Sequence, residues 1–355
     1  MSTTTLRAKG RAAALLPTLL LALMAGFGLP AAAQVQGAGA TFPSAVYQSW
    51  MQRYEQAAGQ KVSYQPTGSG DGQKKIQARA VDFAGSDVPM SEADLARNQL
   101  VQIPMLVGGI VPVVQLRGIP SLKLDGPVLA DIFRHRITVW NDPRIAALNP
   151  GVGLPAQAIV CVVRKDKSGS SDAFSRYLSL VSPEFNGEIG AGMLPKWPGT
   201  PVAAEGNDGM VQAIKSTPGA IGYVSYDRLI KAQLSPVKLR NADGTAFVSP
   251  SEAGFREAVR NSAMGRAGDE NASLLQRHGE QSWPITVTSY ILVDAHPKSA
   301  DTARRALHFL NWTLQSGDRL LNDSGFAPLP VMIQARMAAR LASVKAQDGQ
   351  VINYY

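Results

Sequence analysis

The sequence predicts an α/β protein built as two domains, and three observations carry that reading. Short apolar runs alternate with segments of helical period along the chain after residue 33, the pattern of strands and helices packed in layers. Two longer apolar runs, residues 106–116 and 285–293, flank a central block, which suits a discontinuous chain that crosses twice between two lobes. Glycine- and serine-rich turns stand repeatedly between the end of an apolar run and the start of a helical pattern. Ligands of such folds sit between the domains, at strand C-terminal ends and helix N-termini.

Taken in order, the chain opens on an export signal. Arg7, Lys9 and Arg11 precede an apolar stretch at residues 12–29, and Ala31-Ala32-Ala33 forms a small-residue cleavage site. Cleavage is expected after Ala33. Pro17, Gly26, Gly28 and Pro30 interrupt the apolar stretch, which argues against an uncleaved membrane anchor. No cysteine lies near the cleavage site to carry a lipid, and no later segment is apolar enough to span a bilayer. The mature chain is expected to be soluble and exported.

Removing the signal takes three of the 35 basic residues and none of the 27 acidic ones, so net charge falls from +8 to +5. This mild excess helps to steer a small anion. Without a dense basic run interleaved with aromatics, nucleic acid is a poor partner. Cys161 is the sole cysteine and sits in an apolar run, where it reads as a buried strand residue with no disulfide to make.

Strands are expected at residues 61–65, 82–86, 106–116, 159–163, 221–225 and 285–293. Helices are expected at 45–57, 73–79, 92–98, 127–133, 172–180, 210–216, 251–261, 299–316 and 332–343. The segment 299–316 carries Ala303, Ala306, Leu307, Leu310 and Leu314 at near-helical spacing and reads as a packing helix. No internal repeat is present.

Four pieces carry chemistry. The first, Gly37-Ala38-Gly39-Ala40-Thr41-Phe42-Pro43, places small residues and a hydroxyl before a proline suited to a first helical turn. Its free N–H groups and the helix dipole favour an anion. Thr67-Gly68-Ser69-Gly70-Asp71-Gly72 is a second such turn, in which Ser69 offers both N–H and hydroxyl; by itself it reads better as a plain connection. The third, Val81-Asp82-Phe83-Ala84-Gly85-Ser86-Asp87-Val88-Pro89, is a strand ending on Asp87, a carboxylate that repels an anion unless the guest brings a proton. In the fourth, a strand delivers Arg164, a bidentate fork for oxyanions, and Ser168, Gly169 and Ser170 open a helix. Asp166 is near enough in sequence to orient or partly neutralise Arg164.

With these motifs the chain resembles the phosphate-binding proteins of the bacterial ABC-type high-affinity phosphate importer. Gly206-Asn207-Asp208-Gly209, Pro218-Gly219-Ala220-Ile221-Gly222-Tyr223 and Trp283-Pro284-Ile285-Thr286 extend the match across nearly the whole mature chain. The resemblance implies a type II-like periplasmic binding protein fold, each lobe a mixed, mostly parallel sheet flanked by helices. The lobes are expected at residues 34–110 with 288–355, and at 111–287. The resemblance implies phosphate ligands at Thr41, Phe42 (through its N–H), Ser69, Asp87, Arg164, Ser168, Gly169 and Ser170, with Asp166 and Asp71 behind them. Ser170 stands where the family usually has threonine, and Gly70-Asp71 where it commonly has Ser-Gly. A carboxylate there costs affinity unless it points away or pairs with Lys74 or Lys75.

No metal, cofactor or catalytic residue is expected. The four histidines (His135, His278, His296 and His308) lack ligand or base spacing, and no G-x-S-x-G elbow accompanies the serines. The expected partners are inorganic phosphate and, since no P-loop is present, separate permease subunits with their ATPase. The protein itself is expected to be a periplasmic monomer. A phosphatase-like exported relative, or an adhesion protein of the same fold that has lost its ligand, are the alternatives.

Overall fold

The computed structural model describes residues 34–355, so the expected export signal lies outside the described residues. The chain begins with β1 (Val35–Gly39), α1 (Ser44–Ala58), β2 (Val62–Pro66), α2 (Ser69–Gln77), β3 (Phe83–Ser86), α3 (Glu92–Arg97) and the long β4 (Leu100–Val114). There follow β5 (Leu122–Leu124), α4 (Gly126–Phe133), α5 (Pro143–Leu148), β6 (Val160–Arg164), α6 (Gly169–Val181), α7 (Pro183–Glu188) and β7 (Val202–Ala204). Next come α8 (Gly206–Ser216), β8 (Ala220–Ser225), α9 (Tyr226–Ala232), β9 (Ser235–Arg240), β10 (Phe247–Val248), α10 (Glu252–Arg260) and α11 (Ala263–Ala267). The chain closes with β11 (Thr286–Asp294), α12 (Ala300–Ser316), a 3-10 turn at Gly317–Leu320, β12 (Phe326–Ala327) and α13 (Val331–Leu341).

The strands form a mixed sheet in the order β2-β1-β3-β11-β4-β8-β6-β7. Parallel pairing holds at the two ends of this path, where β1 lies between β2 and β3, and β6 between β7 and β8. The middle is antiparallel, through β11 and β4. Residues Leu100 to Gly109 of β4 pair with β11, and Ile110 to Val114 pair with β8. One strand thus serves both halves of the molecule. It begins earlier than its apolar run implies, because pairing with β11 carries Gln102 and Pro104 into the ladder. Trp283 pins the change of partner, its indole N–H donating to the Ile110 carbonyl at 3.0 Å.

Each half has its own aromatic packing. Tyr54, Phe309 and Trp312 meet edge to face in one, while Phe174 stacks on Tyr223 with ring centroids 4.4 Å apart in the other. Such pairs add about 0.5–1.5 kcal/mol each beyond their buried area. Cys161 lies on β6 as expected, its thiol pushed up to about 12 by burial, a value that leaves it unreactive.

Two helices start earlier than their apolar periodicity suggests. The turns at Ser69 and Gly169 are themselves the first turns of α2 and α6. Glycine and serine weaken the periodic signal there, yet both are well suited to an N-terminal turn that meets a guest.

Candidate functional site

Parallel strands bring their C-terminal ends to one place, and the functional segments lie there. Gly39 of β1 pairs beside Pro66 of β2 and Gly85 of β3, so the loops bearing Thr41, Ser69 and Asp87 leave one edge together. In the other half, Arg164 ends β6 beside Ala204 of β7. α6 starts five residues on, its first turn capped by Ser168 Oγ, which accepts the Ser171 N–H at 3.2 Å.

These loops meet across the two halves. Arg164 Nη1 donates to Thr41 Oγ1 at 3.2 Å, and Asn207 Nδ2 reaches the same oxygen at 3.0 Å. The Gly70 N–H donates to the Lys167 carbonyl at 3.1 Å. A Cβ at Gly169 would lie 2.5 Å from Asp87 Cβ and 2.6 Å from Ser69 Oγ, so only glycine fits where α6 approaches. Gly68 holds φ +99°, and a side chain there would meet Asp166 Oδ2 at 2.8 Å. A further tie lies just outside, where Arg228 Nη2 donates to Ser44 Oγ at 3.0 Å.

The enclosed groups are nearly all donors. Thr41, Ser69, Arg164, Ser168 and Ser170 are buried, with Arg164 only 2% exposed. Ser170 Oγ is buried with no partner. Among the described residues, the N–H groups of Phe42, Ser69, Gly169 and Ser170 meet no protein acceptor. Phe42 itself faces away, its buried ring edge to face with Phe326. Donors left open in a buried site are what a multivalent oxyanion satisfies.

Two carboxylates touch this donor set. Asp166 accepts from Arg164 Nε at 2.7 Å, makes a second close contact with Nη2, and takes the Gly206 N–H at 3.2 Å. Burial alone would raise the Asp166 carboxyl, but the Arg164 hydrogen bond and charge hold it below the usual range. Asp87 is different. Its Oδ1 accepts from Ser289 Oγ at 2.7 Å and its Oδ2 more weakly from Ser69 Oγ at 3.4 Å. Burial pushes the Asp87 carboxyl up to about 7, against the pull of Ser289, Ser69 and the Arg164 charge.

All eight residues expected to bind are therefore brought to one place, and Asp166 lies behind Arg164 as expected. Asp71 does not join them. It sits on α2 with its side chain 39% exposed and 2.9 Å from Lys75 Nζ, one of the two pairings that would draw it away from an anion. Burial would raise its pKa, but hydrogen bonds to Lys75 and Thr67 and the charges of Lys75 and Lys74 lower it overall.

Sequence reasoning missed the supports. Ser289, which orients Asp87, is a small polar residue inside the apolar run of β11, and that break in the run is its only signal. Tyr223 bonds Ser171 Oγ at 2.7 Å and accepts the Arg164 N–H at 3.3 Å. Asn207 lies in Gly206-Asn207-Asp208-Gly209, where its position in the sequence gives it no evident role.

A family model described as the PBP superfamily domain matches residues 28–316. A phosphate-binding protein PstS of Pasteurella multocida (strain Pm70) is 40% identical over 338 residues, spanning 94% of this chain and 98% of the relative. Its counterpart in Haemophilus influenzae is 39% identical over 298 residues, spanning 83% of this chain and 89% of the relative. Among solved structures, a high-affinity periplasmic phosphate-binding protein bound with phosphate at pH 8.5 has the same fold, with a TM-score of 0.69 at 21% identity. That match covers 86% of this chain and 93% of that one. The two-lobed α/β fold expected from the sequence is the fold of this structure, and the chain belongs to the PstS phosphate-binding protein family of the PBP superfamily.

Proposed function

We propose that this chain is the exported solute-binding component of an ABC phosphate importer. It captures one inorganic phosphate between lobes formed by residues 34–110 with 288–355 and by residues 111–287, and delivers it in the periplasm to permease subunits driven by a separate ATPase. Thr41, Phe42, Ser69, Arg164, Ser168, Gly169 and Ser170 donate to the phosphate oxygens, and Asp87 accepts its proton.

Asp87 carries this reading. It is a buried carboxyl held against a set of buried donors from both halves. Phosphate near neutral pH keeps at least one proton and sulfate keeps none, so an ionised Asp87 bonds the first and repels the second. Transport rather than turnover fits the serines. Ser168 Oγ is committed as the cap of α6, and a cradle closed from both halves favours tight binding.

Calorimetric titration with phosphate, arsenate and sulfate tests the proposal. Phosphate and arsenate, which both keep a proton, are expected to bind with sulfate failing to compete. Arg164→Ala is expected to cost roughly 2–5 kcal/mol of phosphate affinity, because it leaves a buried anion without its charged partner. Sulfate binding as tight as phosphate, or an unaffected Arg164→Ala variant, would overturn it.

A further inference from the structure

We propose that Asn207 is the positioning residue that aims the Thr41 hydroxyl at the bound anion, so that closure of the two halves creates this donor. The inference rests on the phosphate-binding reading above and adds a residue to it.

The chemistry of the network leaves one arrangement. Asn207 is 1% exposed, and its Oδ1 lies 3.3 Å from the Ser225 backbone N–H. A backbone N–H only donates, so that end of the amide must be the oxygen and the other end the NH2 group. That NH2 group faces Thr41 Oγ1 at 3.0 Å. Arg164 Nη1, which also can only donate, reaches the same oxygen at 3.2 Å. A threonine hydroxyl has two lone pairs and one hydrogen. With both lone pairs occupied, its hydrogen is free only for a third partner. The buried partner on offer is the guest of the cradle.

Asn207 stands on α8 and Arg164 on β6, in the half opposite Thr41. The Thr41 main chain is held from that side too. Its carbonyl accepts from Ser44 Oγ at 2.9 Å, and Ser44 Oγ accepts in turn from Arg228 Nη2 at 3.0 Å. With the halves apart, the Thr41 hydroxyl loses both donors and rotates freely. Closure removes that freedom and leaves the hydrogen directed at phosphate.

A double-mutant cycle in phosphate titrations tests this. Asn207→Ala is expected to raise the phosphate Kd about tenfold in the unaltered chain, and less than about twofold in a Thr41→Val background, where no hydroxyl remains to be aimed. Asn207→Asp keeps an acceptor for the Ser225 N–H but turns an acceptor towards Thr41, drawing the hydroxyl hydrogen away from phosphate. Its cost is also expected to shrink in the Thr41→Val background, and it serves if Asn207→Ala does not fold. Thermal unfolding without phosphate separates a folding defect from a binding one. Equal costs in both backgrounds, or unchanged affinity in both variants, overturn the role of Asn207 alone. An unaltered chain that does not bind phosphate overturns the proposed function and this inference with it.

Discussion

At the scale of single residues, Asp87 sets how the site depends on pH. Its folded-state pKa of about 7 lies above the 3.8 of an unperturbed aspartate. Between those values the folded, ligand-free protein holds a proton that the unfolded chain has released. The group therefore favours folding at low pH, and this contribution is lost as pH rises through 7. Urea unfolding of Asp87→Asn at pH 5 and pH 8 is expected to show that pH term reduced by about 2–3 kcal/mol relative to the unaltered chain. On the proposed phosphate-binding reading, the same proton governs selectivity. A protonated Asp87 can donate to a sulfate oxygen, so discrimination against sulfate is expected to narrow from pH 8 to pH 5 and to be weak at both in Asp87→Asn, as read by competition titration. Asp71 carries no such weight. Its partner is Lys75 on the same exposed face, so Asp71→Asn is expected to change the phosphate Kd by less than about threefold.

At the scale of elements, the site consists of helix starts brought up against strand ends, and the closest approach is α6 against the Asp87 loop. Gly169 has no side chain where Asp87 and Ser69 would collide with one. The clash spans the two halves, so opening relieves it without unfolding either. Gly169→Ala is thus expected to keep its ligand-free melting temperature within a few degrees while losing about 100-fold or more in phosphate affinity. A variant that instead melts far lower and binds normally would place the contact inside one half. The first turns of α2 and α6 are legible in the sequence as glycine–serine turns leading into helices, but their place inside the helix is not, because apolar periodicity starts only at the residues that reach the core.

At the scale of the whole molecule, β4 and β11 join two halves that share one apolar core and, around the cradle, touch through polar contacts. Thr41–Arg164, Thr41–Asn207, Ser44–Arg228 and Gly70–Lys167 all cross from one to the other. A ligand bound between them adds its own free energy to the closed form. Phosphate at about 1,000 times its Kd is expected to stabilise the protein by about 4 kcal/mol, seen as a raised melting temperature that sulfate at the same concentration does not reproduce. A phosphate effect equal to that of sulfate would mark it as a general salt effect.

The sequence by itself determined the α/β class and the two long apolar strands, and it marked the hydroxyls, Arg164 and Asp87 that the structure brings together. Those features are local, since periodicity, glycine–serine turns and a strand ending in arginine are each written in a few neighbouring residues. Only the tertiary structure decided that β4 changes partner at Ile110, that Asp71 turns to Lys75, and that Ser289 and Asn207 orient Asp87 and Thr41. Each of these depends on residues far apart in the chain. A hydrogen-bond partner 202 residues away, as Ser289 is from Asp87, leaves no local pattern to read.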